Sequence, residues 1–166
     1  MVKICKARYE GDKLMIIRDI RISDYDKIDK LMQQVHTLHV NNRPDLYVEI
    51  EHPYSMDELE KIVENNDIIS VLAEENNEIL GMCIVSIRNK SGMVEKKTAY
   101  MDDLCVDERF RGKGVGKELF CFVSSRAKEK GAERLDLMVW SFNKNALSFY
   151  EELGMKPQRY IFEKEL

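Results

Sequence analysis

A run of glycines and basic residues between an apolar strand and a helix restricts the fold of this chain most strongly. The segment "DERFRGKGVGKELF" (Asp107–Phe120) has glycine at every second position, at Gly112, Gly114 and Gly116. The apolar triplet "LCV" precedes it, and a helical apolar stripe starts at Val115. The first N–H groups of a helix lack internal partners and favour an anion, and glycine lets that anion approach the backbone. The pattern therefore predicts a strand–loop–helix unit that binds phosphate.

Two common phosphate-binding loops do not fit this stretch. A P-loop needs a glycine five residues before its Gly-Lys pair and then Ser or Thr, but Arg111 holds the first place and Glu118 the last. A dinucleotide-binding loop needs glycines at its first, third and sixth places, and the sixth place falls on Lys117 or Leu119. A basic turn without a ligand is the alternative interpretation of this stretch taken alone.

The length and composition of the chain favour one domain. Residues 15–166 carry the regular pattern, and residues 1–14 are an N-terminal extension, a tag or an extra strand. The chain has 44% hydrophobic residues, 34% charged residues, a net charge of −4 and no apolar run of membrane-spanning length. We therefore expect a cytoplasmic globular protein that binds neither nucleic acid nor a membrane. The four cysteines have no CxxC spacing, and Cys83, Cys105 and Cys121 lie within apolar runs, which predicts buried thiols in a reducing environment.

The hydrophobic pattern predicts an α/β fold. The predicted strands are "MIIRDIRI", "DIISVLAEE", "EILGMCIVSI", "KTAYMDDLCVD", "AERLDLMVW" and "QRYIFEKEL". Two helical patterns separate the first strand from the second, one follows the glycines, and one precedes the last strand. The predicted order is β-α-α-β-β-β-α-β-α-β. Ser55 and Glu58 form a capping box for the second helix, and "ENNE" predicts a hairpin between two strands.

Two motifs in this order resemble those of a known family. The spacing Arg111-x-x-Gly114-x-Gly116 after a strand resembles the acetyl-CoA pyrophosphate loop of the GNAT superfamily of N-acetyltransferases. The segment "NKNALSFYEELGM" (Asn143–Met155) is similar to the superfamily's Asn-x-x-Ala-x-x-hydrophobic-Tyr-x-x-x-Gly-aromatic helix, with Met155 in the aromatic place. Both motifs in the right order and separation are more specific than either alone.

The resemblance covers residues 15–166 and includes the strand order. It implies a GNAT-like mixed, mostly antiparallel sheet flanked by helices. Locally, "YMDDLCVDERFRGKGVG" looks most like the spermidine/spermine acetyltransferases, which carry two adjacent acidic residues before the apolar triplet.

The resemblance implies acetyl-CoA as the cosubstrate, with its pyrophosphate on the glycine loop and its pantetheine arm in a gap between two splayed strands. A backbone N–H group of the strand before the loop is expected to polarise the thioester carbonyl. The residues implied to hold the cofactor lie on that strand, in the loop and on the downstream helix. They are Leu104, Cys105, Val106, Arg111, Gly112, Lys113, Gly114, Val115, Gly116, Lys117, Asn143 and Ala146.

Acetyl transfer to an amine needs a base for the ammonium group and an acid for the leaving thiolate. Tyr150 holds the tyrosine position of the family helix and is the expected acid, with core packing as its alternative role. Asp102 is the expected base or ammonium anchor, acting through water. Asp103 points to the other face of a regular strand, unless a bulge intervenes, and two solvated charges are the alternative for this pair. Met138 stands where some family members carry a glutamate.

The first half of the chain is expected to contribute the acceptor pocket. No metal site is predicted, because His36 and His39 lack a third ligand and are expected to pack or to line this pocket. Arg43, Asp45 and Tyr47 of the segment "NNRPDLY" are further acceptor-site candidates.

These features predict an acetyl-CoA-dependent N-acetyltransferase that acts by direct transfer. The acidic pair favours a small cationic amine, such as a polyamine, as the acceptor. An acceptor carboxylate held by Arg43, as in an amino acid, stays open. Further alternatives are a protein N-terminus or lysine as the acceptor, and a non-catalytic CoA-binding module. A homodimer is one open alternative for the oligomeric state.

Overall fold

The computed structural model describes residues 4–89 and 96–166. Over this part of the chain, six strands form one sheet in sequence order. The strands are β1 (Cys5–Tyr9), β2 (Lys13–Asp19), β3 (Ile68–Glu75), β4 (Glu78–Asn89), β5 (Lys97–Val106) and β6 (Arg134–Leu137). The helices are α1 (Tyr25–Asn42), α2 (Met56–Glu64), α3 (Val115–Glu129) and α4 (Lys144–Glu152), with 3-10 turns at Ile22–Asp24 and Glu108–Phe110.

The sheet is mixed and mostly antiparallel, which confirms the predicted fold class. Strands β1 to β5 pair antiparallel with their sequence neighbours, whereas β6 lies parallel to β5. Helix α3 packs Leu119 and Val123 on one face of the sheet, and α1 and α2 pack Ile28 and Leu59 on the other. Within residues 4–89 and 96–166, no helix has the length and apolar character needed to cross a membrane.

Two local sequence signals are confirmed. Ser55 Oγ accepts a hydrogen bond from the N–H of Glu58 at 3.2 Å, and the Glu58 carboxylate accepts one from the N–H of Ser55 at 2.8 Å, which forms the capping box of α2. Asn76 and Asn77 connect β3 to β4 with φ values of 49° and 65°. Positive φ at both central residues is the geometry of a tight two-residue hairpin.

The N-terminal segment contains a strand. β1 pairs with β2 as an antiparallel hairpin, from Cys5 opposite Ile17 to Tyr9 opposite Lys13. Residues 5–9, within the segment 1–14, are therefore a strand of the same sheet. Residues 1–3 lie outside the described residues.

The predicted last strand, "QRYIFEKEL", is wrong. Residues 155–166 have no strand structure, and Tyr160, Ile161 and Phe162 are 78%, 79% and 92% exposed. A β-rich pattern becomes a strand only where a neighbouring strand completes its ladder and buries one of its faces. This segment instead meets the rest of the chain through side chains, with Gln158 donating to Asp136 at 3.4 Å.

The four cysteines are free thiols, but only two are buried. Cys83 and Cys105 lie in the core, whereas Cys5 and Cys121 are exposed. The prediction that Cys121 is buried is wrong, because Leu119 and Val123 occupy the core-facing positions of α3 on either side of it.

Candidate active site

Strands β5 and β6 separate partway along their length. Their parallel pairing runs from Thr98 opposite Arg134 to Met101 opposite Leu137. Beyond this point β5 continues to Val106 and stays paired with β4 on its other edge. Within the described part of the chain, the β6 side of β5 therefore has no strand partner along residues 102–106. This is a gap of the kind expected for the pantetheine arm; it begins after Met101 and includes Leu104–Val106.

The glycine loop presents a row of unpaired backbone donors at the start of α3. Gly112 and Gly114 have φ values of +73° and +95°, and no atom outside the loop lies within 4 Å of the position that a Cβ would take at either residue. The backbone N–H groups of residues 112–117 donate to no acceptor in the parts of the chain that the structure describes. A positive φ and the open space around these glycines leave the donors accessible to an anion, so the anion site stays a prediction that this geometry allows.

Gly116 has a different role from the other two glycines. It lies in the first turn of α3, and a Cβ at this position would be 3.3 Å from Phe149 Cζ and 3.4 Å from Val106 Cγ2. Its missing side chain lets α4 and β5 approach α3. Gly116 therefore sets the packing beside the donor row.

The three cationic side chains of the loop differ in whether they already contact other groups of the protein. Arg111 folds back, and its Nε donates to the carbonyl oxygen of Val106 at 3.0 Å. Lys113 Nζ lies 3.4 Å from Glu10 Oε1, on the turn between β1 and β2. Lys117 is exposed. Two of the three cations are thus already in contact with the protein, and Lys117 extends into solvent.

Helix α4 places Tyr150 against the sheet. Asn143 caps this helix, and its Oδ1 accepts a hydrogen bond from the N–H of Ala146 at 3.1 Å. The Tyr150 hydroxyl donates to Met101 Sδ at 3.7 Å, which is its only hydrogen-bond partner among the described residues. Thioether sulfur is a weak acceptor. Burial raises the pKa of Tyr150, and the nearby Cys83 and Asp103 raise it further, so the phenol stays protonated.

A β-bulge changes the direction of the two adjacent aspartates. In the register of β4 and β5, Ile84 lies opposite Asp103 and Val85 lies opposite Met101, so Asp102 has no partner residue. A bulge of this kind interrupts the alternation of side chains between the two faces of a strand. The alternative of a bulge is therefore the one observed, and Asp102 and Asp103 do not point to opposite faces as they would on a regular strand.

The contacts of the two aspartates confirm that they share a face. Asp102 Oδ1 accepts a hydrogen bond from Arg88 at 2.5 Å, and Arg88 also donates to Ser86, which lies two residues from Ile84 on the same face of β4. Asp103 lies opposite Ile84, on the side covered by α1 and α2.

The two aspartates have different environments. Asp102 is exposed and is neutralised by Arg88. Asp103 is half-buried, and its Oδ2 accepts a hydrogen bond from the Tyr54 hydroxyl at 2.5 Å. Burial raises the pKa of Asp103, the Tyr54 hydrogen bond lowers it, and the charge of Asp102 adds to the rise. Asp103, with its raised pKa, is therefore a second candidate for the base or ammonium anchor beside Asp102, the residue that the sequence suggested.

Cys105 is held away from any nucleophilic role. Its Sγ donates to the carbonyl oxygen of Leu31 at 3.4 Å in the core below α1. Burial raises the pKa of this thiol to about 12. A protonated, hydrogen-bonded thiol is a poor nucleophile, which favours direct transfer over an acetylated cysteine.

The segment between α1 and α2, residues 43–55, crosses from the end of α1 to the neighbourhood of β5. Near its start, the Tyr47 hydroxyl accepts a hydrogen bond from Trp140 Nε1 at 3.1 Å. Near its end lies Tyr54, the partner of Asp103. We call residues 43–55 the acceptor loop. No spacing in the sequence pointed to Tyr54 or Trp140, because their partners are distant along the chain.

The sequence-predicted acceptor candidates cluster at the start of this loop. The ring centroids of His39 and Tyr47 are 4.9 Å apart. Burial lowers the pKa of His39, and His36 adds to this shift. The Arg43 guanidinium is bonded to Asp45 at 2.7 Å and to Glu163 at 2.8 Å, so its charge is already satisfied.

A family model and solved structures both match most of this chain. The model of the acetyltransferase (GNAT) family matches residues 32–155. A crystal structure of a mutant BH1408 protein from Bacillus halodurans matches with a TM-score of 0.87 and 30% identity, over 90% of this chain and 98% of that one. Glucosamine-6-phosphate N-acetyltransferase from Arabidopsis thaliana matches with a TM-score of 0.69 and 26% identity, over 92% and 99% of the two chains.

Curated relatives match over shorter stretches. L-ornithine N5-acetyltransferase of Arabidopsis thaliana is 30% identical over 79 residues, which are 48% of this chain and 35% of that protein. The thialysine N-epsilon-acetyltransferase of Bos taurus is 34% identical over 58 residues, which are 35% of this chain and 34% of that protein. The chain thus spans about a third of the length of these two curated relatives.

Proposed function

From the premise that this chain belongs to the acetyltransferase (GNAT) family, we propose that it is an acetyl-CoA-dependent N-acetyltransferase whose acceptor is a primary amine. A small cationic amine, such as a polyamine, is the acceptor class that we favour. The observation that carries the proposal is the row of N–H groups at residues 112–117 that have no acceptor among the described residues, next to the β6-side edge of β5 along residues 102–106 and the protonated Tyr150.

The residues present fit acetyl-CoA. The free donors of the loop and the exposed Lys117 suit a pyrophosphate, since both act on negative charge at a helix N-terminus. The free edge of β5 along Leu104–Val106 offers backbone groups to an extended amide-containing chain. When bound, acetyl-CoA supplies a thioester whose acetyl group passes to the amine.

Tyr150 supplies the proton that the leaving thiolate gains. Burial keeps its phenol protonated, and its weak hydrogen bond to Met101 leaves the proton available. In the overall reaction an N–C bond forms and the C–S bond breaks. The ammonium nitrogen gives up two protons, of which one ends on the thiol and one is released to solvent.

Asp103 anchors the ammonium group and accepts its first proton, directly or through water. Its half-buried carboxylate lies on β5 just before the residues that line the gap. A carboxylate in a poorly solvated site attracts a cation strongly and is basic enough to accept a proton. Asp102 contributes less, because Arg88 neutralises it.

The charges around the acceptor loop favour a cation over an acidic acceptor. Arg43 was the candidate for binding an acceptor carboxylate, but Asp45 and Glu163 already occupy its guanidinium. Relatives named for ornithine and thialysine act on amines that carry a second amino group, which is consistent with a cationic acceptor. A protein N-terminus or lysine remains the second candidate acceptor.

A screen of acetyl-CoA consumption tests this proposal. Polyamines, diamino acids, aminoglycosides, acidic peptides and lysine-containing peptides are offered at equal concentration, and acetyl-CoA binding is measured separately by calorimetry. We expect turnover with a cationic small amine. Binding of acetyl-CoA without turnover of any amine would instead support a non-catalytic CoA-binding module, and preference for peptides would support a protein acetyltransferase.

A further inference from the structure

Tyr54 connects the acceptor loop to β5 at one of the shortest side-chain hydrogen bonds in the described chain. It lies immediately before the cap of α2, and its hydroxyl donates to Asp103 Oδ2 at 2.5 Å across a sequence separation of 49 residues. Its ring packs against the core that α1 and α2 form. A hydrogen bond from a neutral donor to a carboxylate is stronger than one between neutral groups.

We propose that Tyr54 is a positioning residue for acetyl transfer, which orients the Asp103 carboxylate toward the acceptor amine. The inference rests on the proposed function, because it assigns Tyr54 to the reaction proposed for Asp103. The acceptor loop would then take part in proton transfer, in addition to lining the proposed acceptor pocket.

The two oxygens of Asp103 have separate tasks in this arrangement. Oδ2 is occupied by Tyr54, whereas Oδ1 makes no hydrogen bond within residues 4–89 and 96–166. A carboxylate that is fixed through one oxygen presents the other in a defined direction, which is what orientation of a bound ammonium group requires. The donor from Tyr54 thus leaves one oxygen free for the acceptor.

The charge of Asp103 depends on the same hydrogen bond. The titratable and charged groups around it are Asp102 and Cys105 on β5, Cys83 and Arg88 on β4, Tyr54 on the acceptor loop and Tyr150 on α4. Burial and Asp102 raise the pKa of Asp103, and the hydrogen bond from Tyr54 opposes this rise. Loss of the Tyr54 hydroxyl should therefore raise the pKa of Asp103 further.

A purely structural role for Tyr54 is the alternative, and the chain offers a matched control for it. The Tyr25 hydroxyl donates to the backbone carbonyl oxygen of Tyr54 at 2.9 Å, so Tyr25 anchors the same loop without contacting Asp103. Tyr25→Phe removes one phenol hydroxyl and one loop anchor. Tyr54→Phe removes one phenol hydroxyl and the donor to the carboxylate.

The kinetic test is the pH dependence of kcat/KM for both variants, with the best amine from the acceptor screen. Thermal melting first confirms that each variant folds. For Tyr54→Phe we expect kcat to fall roughly 10-fold and the acid limb of kcat/KM to move up by about 1 pH unit. For Tyr25→Phe we expect the acid limb to stay at the wild-type pH.

The second test does not depend on turnover. The carboxyl carbon of Asp103, assigned in labelled protein with the help of Asp103→Asn, is titrated by NMR in the wild type and both variants. We expect a higher pKa for this carboxyl only in Tyr54→Phe. The inference is overturned if Tyr54→Phe leaves both the acid limb of kcat/KM and the pKa of the Asp103 carboxyl unchanged. It is also overturned if Tyr25→Phe shifts them equally. In either case, turnover by the wild type still upholds the proposed function. Absence of wild-type turnover overturns the proposed function instead.

Discussion

The backbone N–H of Glu10 donates to the carbonyl oxygen of Lys113 at 2.7 Å. The turn between β1 and β2 therefore lies directly on the glycine loop. The Glu10 carboxylate accepts a hydrogen bond from Lys13 at 2.7 Å and lies 3.4 Å from Lys113 Nζ. The N-terminal hairpin thus places a negative charge beside the proposed anion site.

Glu10→Gln should tighten acetyl-CoA binding by about 2–3-fold at low salt, because it frees Lys113 for the bound anion. Calorimetry at low and high ionic strength measures the effect, which should shrink as salt rises. Asp12→Asn is the matched control, since Asp12 lies on the same turn but pairs with Arg8. Equal tightening by both variants would mean that only the net charge of the protein matters.

Gly114→Val should weaken acetyl-CoA binding by about 1–3 kcal/mol, because φ at Gly114 is +95° and a side chain there strains the donor row. Gly154→Val is the control: Gly154 also has a positive φ, +84°, with open space around it, but it lies after α4. We expect both variants to lose stability in thermal melts and only the first to lose affinity in calorimetry. Unchanged affinity in a folded Gly114→Val protein would contradict the pyrophosphate assignment.

Tyr150→Phe should lower kcat by roughly 100-fold and leave acetyl-CoA affinity nearly unchanged, because a proton donor acts in the transition state and not in the ground state. The control is Tyr160→Phe, since Tyr160 is 78% exposed and has no part in the site. Steady-state kinetics and calorimetry on both variants provide the comparison. If Tyr150→Phe keeps wild-type turnover, Tyr150 serves only to pack against Phe149 and Phe120.

Asp103→Asn should lower kcat/KM for the amine roughly 100-fold, whereas Asp102→Asn should cost less than about 10-fold. The reason is that Asp103 is half-buried and Asp102 is exposed and paired with Arg88. Steady-state rates of the two variants decide the order. A larger loss in Asp102→Asn would restore the assignment that regular strand alternation suggests.

The parts of the fold that follow from local chemistry could be predicted from the sequence. The capping box of Ser55 and Glu58 and the tight turn at Asn76 and Asn77 each depend on residues within four positions of one another. The glycine loop could be predicted for the same reason, because its strand, its glycine-rich turn and the start of its helix are adjacent in the sequence. Local propensity is therefore sufficient where the partners of a residue are its sequence neighbours.

The parts of the site that depend on distant partners could not be predicted. The register between β4 and β5, which shifts between Ile84 and Val85, determines the face of the sheet to which the side chains of Asp102 and Asp103 point. Tyr54 reaches Asp103 only because the acceptor loop folds over β5. The failed last strand has the same cause, since a β-rich segment does not show whether a ladder partner exists.

The bulge at Asp102 decreases the distance between neighbouring carboxylates on one face of β5. On a regular pleat, side chains that share a face recur about every 7 Å, at every second residue. The bulge places two carboxylates on one face at consecutive positions, closer together than alternation allows. Mutual repulsion would oppose this crowding, and Arg88, 2.5 Å from Asp102, cancels one of the charges. With both carboxylates ionised, Arg88, Asp102 and Asp103 together carry a net charge of minus one, and Asp103 holds the charge that Arg88 does not balance.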